Sequence, residues 1–168
     1  MKTNKNIILS LVICFFAQLL CANSNPDKTS DSQDILVKGK IFYEEYLLKT
    51  VVVNLYDQNK LVHQTTLNSS HNVNLNLARD KDYTIEILAE GFFDKRLKIS
   101  TKHLKMDSKP SIIKFNATLL SKSNFKNPDD FLMDFPWAVF EYDTHTNQFI
   151  IDKNYTEIML QEISSLYE

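Results

Sequence analysis

The chain is predicted to be mainly β: a seven-stranded antiparallel β-sandwich followed by a C-terminal β-hairpin and one α-helix. Three observations lead there. Runs rich in Val, Ile and Leu recur between residues 35 and 120, at the roughly ten-residue spacing of a sandwich rather than of βαβ units. Within "HNVNLNL" (71–77) the alternation is strict, with Val73, Leu75 and Leu77 on one face and Asn72, Asn74 and Asn76 on the other. Such a strand has one buried and one wet face. Helical spacing occurs in the tail, where Tyr155, Met159, Ile163 and Leu166 form one apolar stripe.

The strands follow in order. "ILVKGKIFY" (35–43) is the first, and "TVVVNLYD" (50–57) is rich in β-branched residues. "KLVHQTTL" (60–67) comes after Asp57, Gln58 and Asn59, a hairpin turn by composition. "HNVNLNL", "DYTIEILA" (82–89), "FDKRLKIS" (93–100) and "IIKFNATLL" (112–120) complete the seven. The chain holds two glycines, so Asn and Asp must supply most turns, since both tolerate positive φ. Gly91 falls at the corner after Ala89, where a positive φ is expected. After Ser121 the period is lost, and 121–136 reads as a connecting loop. "WAVFEY" and "QFII" flank "DTHTN" as a small hairpin. Asn154, with Glu157 three residues later, resembles a capping box for the helix.

The N-terminus has the order of an export signal over residues 1–22. Lys2 and Lys5 precede the 14-residue apolar run Ile7–Leu20, and small residues follow. A bilayer span needs roughly 20 residues. Residues 23–34, "NSNPDKTSDSQD", read as a disordered tether. Two processing routes are open. Cys21 stands where a bacterial lipoprotein carries its lipidated cysteine, although Leu20 replaces the usual small residue before it. Cleavage after Ala22 or Ser24 would instead remove it. Cys14 and Cys21 are the two cysteines, so the folded domain has no disulfide, and its core must supply the stability. A domain of about 145 residues buries roughly 68–70% of its unfolded surface. The expected location is exported: periplasmic, outer-membrane-associated or secreted, with membrane contact only through the lipid at Cys21.

The formal charge is −2, and without Lys2 and Lys5 there are 17 basic residues against 21 acidic. The sequence has no basic run, which argues against nucleic acid as a partner.

Val37, Gly39 and Ile41, then Val51, Val53, Leu55 and Tyr56, then Tyr83, Ile85, Ile87, Gly91 and Phe92 form a pattern similar to the carboxypeptidase-regulatory-like β-sandwich of bacterial exported proteins. That group belongs with the transthyretin-like and Cna-B-like modules. The resemblance covers residues 35 to 101, and its motifs are packing motifs. It departs from the group where "EEYLLKT" and "NSSHN" stand in place of glycine- or proline-bearing turns. It implies an accessory, adhesive or structural module without a general catalytic apparatus.

His63, His71, His103 and His145 lie far apart, with no H-x-x-E or H-E-x-x-H spacing. No G-x-S-x-G elbow and no glycine-rich phosphate loop occur. The acidic pairs Asp80/Asp82 and Asp129/Asp130 have turn composition. No catalytic residue, metal ligand or cofactor is therefore assigned. Tyr43, Tyr46, Phe92, Phe93, Phe135 and Trp137 are the aromatics that could mark a sugar-binding surface, and core packing is the commoner fate of such rings. Phe92 and Phe93 would face opposite sides of an extended segment, which makes this pair the candidate binding surface. The expected role is non-enzymatic: an envelope protein that binds another protein or a glycan. Two other readings stand beside it: a small periplasmic hydrolase built from scattered carboxylates with His63 or His71, and a purely structural lipoprotein.

Overall fold

In the computed structural model, residues 35–43, 50–68, 71–104, 111–125 and 134–165 are described. The expected signal, the tether, Cys21, Tyr46, Leu166 and Asp129/Asp130 lie outside the described residues.

Besides a single 3-10 turn at Lys122–Asn124, nine strands and one α-helix appear in chain order among the described residues. They are β1 (Ile35–Tyr43), β2 (Val51–Asp57), β3 (Lys60–Leu67), β4 (Asn72–Leu77), β5 (Asp82–Leu88), β6 (Lys95–Ser100), β7 (Ile112–Leu119), β8 (Ala138–Asp143), β9 (Gln148–Ile151) and α1 (Lys153–Ser165). The seven expected sandwich strands and the two hairpin strands are all present. They form a three-stranded sheet, β4-β1-β7, and a six-stranded sheet, β3-β2-β5-β6-β8-β9. Alternating residues of both sheets face a shared apolar layer. Val37, Ile41, Val51, Val53, Val73, Leu75, Ile85, Ile87, Leu97, Ile113 and Leu119 are all buried there.

Three details differ from the expectation. Strand pairing is not antiparallel throughout: β1 runs parallel to β7, and β6 parallel to β8. In both cases the chain visits the other sheet before returning, and alternation within a strand carries no information about the direction of its neighbour. Second, the hairpin strands join the sandwich, which has nine strands rather than seven, because β8 pairs onto β6 and β9 onto β8. Third, the helix is capped by Asp152 rather than Asn154. The Asp152 carboxylate accepts the Tyr155 N–H at 3.0 Å, satisfying a donor that has no partner within the helix. Met159 on α1 is buried, and Tyr155 donates its hydroxyl to the Pro136 carbonyl at 2.6 Å.

The turns show why two glycines suffice. Gln58 and Asn59 both take positive φ, +47° and +67°, as a two-residue type I′ hairpin requires. Asp80, His103 and Asn147 supply three more left-handed positions. The connection from β4 to β5 is secured by Thr101, whose fully buried hydroxyl lies 2.9 Å from the Ala78 carbonyl and accepts the Lys81 N–H at 3.0 Å.

Each glycine answers a different demand. Gly91 has φ +81°, and the Phe92 N–H bonds back to the Ala89 carbonyl at 3.2 Å, closing a turn that needs this conformation at its third residue. Around Gly91 nothing lies within 4 Å of where a Cβ would stand, so the backbone angle alone selects glycine. Gly39 is the opposite case. It pairs with Phe115 across β1 and β7, and a Cβ there would lie 2.2 Å from the Phe115 ring. The phenyl ring occupies the place of the missing side chain.

Two expected outcomes follow. Gly39→Ala overpacks this contact and lowers the unfolding free energy in urea by about 1–3 kcal/mol, and Gly39→Ala with Phe115→Leu recovers part of the loss. Gly91→Val destabilises by about 1–2 kcal/mol or more through its left-handed φ, while Gly91→Asn loses less. Equal stability of Gly91→Val and the wild type would contradict this account.

Candidate functional site

Both sheets have an outward face, and the two differ in chemistry. On the larger sheet the outward polar groups satisfy one another across four strands. Gln64 on β3 donates to Asn54 on β2 at 2.8 Å, and Asn54 donates to Glu86 on β5 at 3.0 Å. Arg96 on β6 donates through Nε to the other oxygen of Glu86 at 2.9 Å, and the Tyr56 hydroxyl reaches Glu86 at 3.0 Å. Gln64, Asn54, Glu86 and Arg96 sit directly opposite one another in register, with Tyr56 diagonal to Glu86, the geometry in which cross-strand pairs interact. Burial by itself would push the Glu86 carboxyl up. Hydrogen bonds from Asn54, Arg96 and Tyr56 outweigh it and hold the pKa below the ordinary value. The Tyr56 hydroxyl, bonded to that carboxylate, is pushed up. Arg96 also reaches Asp134 at 3.3 Å. Lys81 pairs with Asp57, and Lys102 with Asp82. The network is closed and serves as cross-strand glue.

The smaller sheet is different. Its outward positions, read across the paired strands, form rows: Asn76, Leu36 and Ile112; Asn74, Lys38 and Lys114; Asn72, Lys40 and Asn116. Phe42 and Thr118 continue the last two strands. The three strands contain no Asp or Glu. Among the described residues, no hydrogen bond or ion pair engages the side chains of Lys38, Lys40, Lys114, Asn74, Asn76 or Asn116. All six are exposed, and so are Phe42 and Ile112, at 46% and 53%. Neighbouring strands lie about 4.8 Å apart, and Lys38 and Lys114 are direct neighbours. The arrangement offers three ammonium groups and three free amides on one open surface, and it is the candidate site.

Phe92 and Phe93 do not form a binding surface: both are buried, at 7% and 6%. The segment is a connection between strands, not a strand with two faces. It is zipped onto the end of β7 by Phe93 N–H to Leu120 carbonyl and Lys122 N–H to Gly91 carbonyl, each 3.0 Å. Phe92 joins the core layer. Phe93 packs edge-on against Phe125, ring centres 5.1 Å apart, with the Lys122 ammonium 5.8 Å from its centre.

The other expected residues are dispersed. His63 lies on β3 of the larger sheet, while His71 stands before β4 of the smaller one and packs edge-on against Tyr43. His103 occupies a left-handed turn position, and the His145 N–H bonds to Asp143 in the hairpin turn. Among the described residues no three His, Cys, Asp or Glu side chains gather as metal ligands. Asp80 takes a left-handed turn angle, and Asp82 accepts the Ser100 hydroxyl at 2.8 Å.

A crevice beside Phe93 was not visible in the sequence. Lys95, Trp137, Phe135, Leu120 and Ile163 line it. The Lys95 ammonium lies 4.9 Å from the Trp137 ring centre and donates to the Thr118 carbonyl at 2.6 Å. Burial pushes its pKa down to about 8. In the unfolded chain it keeps its proton up to the ordinary value of 10.5. Between the two values the unfolded state binds more protons, so stability rises with pH. The unfolding free energy of the wild type relative to Lys95→Met should therefore move in favour of the wild type from pH about 7 to about 10. A constant difference across that range, measured by urea titration, would contradict the assignment.

No family model matches the chain, and no curated protein matches it. Among solved structures it is similar to one titled "Crystal Structure of S.CueP", at 14% identity and a TM-score of 0.40, over 52% of this chain and 64% of that one. The chain thus spans less than two thirds of the length of that structure.

Proposed function

We propose that the chain is a non-enzymatic exported protein of the cell envelope, which works by docking on an anionic envelope component through the outward face of β4-β1-β7. The observation that carries this reading is the set of exposed lysines, Lys38 and Lys40 on β1 and Lys114 on β7, in a sheet whose three strands hold no acidic residue. The chain as a whole is acidic, with a formal charge of −2, so a surface cut off from that balance points to a partner of opposite charge. The leader-like order of residues 1–22 and the accessory-module pattern of residues 35–101 agree with the same reading.

The test is retention on isolated envelope material. Lys38→Glu with Lys114→Glu should reduce co-sedimentation severalfold relative to the wild type, because reversing two charges turns attraction into repulsion. Lys60→Glu with Lys98→Glu, which changes the same net charge on the larger sheet, should leave retention unchanged. Equal retention of both double variants would remove the smaller sheet as the contact surface.

A further inference from the structure

The outward face of the smaller sheet breaks two local rules at once. Asn is depleted in strands, yet four asparagines, Asn72, Asn74, Asn76 and Asn116, occupy outward strand positions there. Like charges directly opposite one another are destabilising, yet Lys38 faces Lys114. Among the described residues, no hydrogen bond or ion pair compensates the side chains of Asn74, Asn76, Asn116, Lys38 or Lys114. The larger sheet places its one outward strand asparagine, Asn54, in a bonded network and sets Arg96 opposite Glu86. Uncompensated departures of this kind collect at functional sites.

Resting on the reading of this face as the contact surface, we propose that its ligand is an anionic saccharide chain. Lys38, Lys40 and Lys114 pair with its acidic groups, and the amides of Asn74, Asn76 and Asn116 bond to its hydroxyls. The chemistry of the face selects that class. An ammonium is a compact point charge suited to a carboxylate or other acidic substituent. A primary amide both donates and accepts, which matches hydroxyls, themselves donors and acceptors. Phosphate oxygens only accept, so docking on the phosphates of a nucleic-acid duplex would leave the amide oxygens unmatched. The face also lacks arginine, and its one aromatic is Phe42, whereas single-stranded nucleic acids require a row of stacking rings. An open depression on this face is lined by Lys38, Lys40, Phe42, Asn74, Lys114 and Asn116, with Phe42 at one end, so an extended chain can lie across it with one ring against the phenyl group.

The test compares three probes on the purified full chain: polygalacturonate, the same polymer methyl-esterified so that its carboxylates are capped, and double-stranded DNA. Polygalacturonate should bind, weaken as salt is raised to about 0.3 M, and outcompete both other probes. Each of Lys38→Gln, Lys40→Gln and Lys114→Gln should weaken binding about two- to fivefold, and the triple variant more than tenfold. Lys114→Gln should keep or raise the melting temperature, because it removes the opposed charges; a binding loss that comes with a lower melting temperature would instead be loss of fold and would count against the proposal. Asn74→Ala should weaken polygalacturonate without changing the salt dependence.

Equal binding of the ester, still abolished in the triple lysine variant, would keep the face and overturn the acidic ligand. Tighter binding of DNA would overturn the saccharide. Absence of polygalacturonate binding, with envelope retention still sensitive to Lys38→Glu and Lys114→Glu, would likewise overturn the saccharide while leaving the docking surface. Polygalacturonate binding unaffected by the triple variant would overturn both.

Discussion

The seating of the Phe115 ring in the space left by Gly39 fixes the register on which the smaller sheet depends. β1 is the central strand of that sheet, bonded to β4 on one side and to β7 on the other. Its partnership with β7 is parallel, so no tight turn can set the alignment, and side-chain fit must do so. A large ring beside a residue with no side chain admits one alignment. A slip of one residue would place the Lys114 ammonium against the core and Ile113 in water, since the side-chain period of a strand is two. The same contact therefore decides both halves of the sheet's chemistry: what it buries, and that Lys38 meets Lys114 on the outside.

The two outward faces show how one architecture separates stability from recognition. On the larger sheet, Glu86 collects hydrogen bonds from three side chains on the two neighbouring strands, Asn54 and Tyr56 on β2 and Arg96 on β6, and each donor has its partner within reach. A partly buried network of this kind contributes only when every member is satisfied, and here it binds β2, β3, β5 and β6 together. Little chemistry is left over for a ligand. On the smaller sheet, the core side supplies the cohesion, through Val37, Ile113 and their neighbours. The outer side is thereby relieved of a structural task and can hold like charges side by side.

The burial of Phe92 and Phe93 comes from the same non-local logic. Alternation predicts opposite faces only while a segment is paired as a strand in a sheet. Residues 91–93 instead cross from one strand to the next and are captured by residues 120–122. Two covers, the core layer and Phe125, meet the two rings from different sides. Lys95, just beyond, is drawn into the crevice against Trp137 by the same docking, which explains why an ordinary-looking charged residue loses hydration.

Much of the molecule was legible in the order of its residues. Apolar and β-branched runs at roughly ten-residue spacing located the described strands, and where alternation is strict, as in 72–77, burial of one face is written into neighbouring positions. The turn at Gln58 and Asn59 and the left-handed corner at Gly91 were legible because backbone preference is local. Even the free face was half visible, in the Asn72, Asn74 and Asn76 alternation. Its lysines were not, because Lys38, Lys40 and Lys114 lie on strands more than seventy residues apart and form no run. The helix cap was displaced to Asp152 because Asp and Asn both cap well, and packing of Tyr155 and Met159 chose between them. By itself, then, the sequence determined which segments are strands, which of their faces are apolar and where the backbone must turn. Only the tertiary structure decided which strands are neighbours and in which direction they run, since the parallel pairing of β1 and β7 depends on contacts between distant segments, and that pairing brings the three lysines onto one surface.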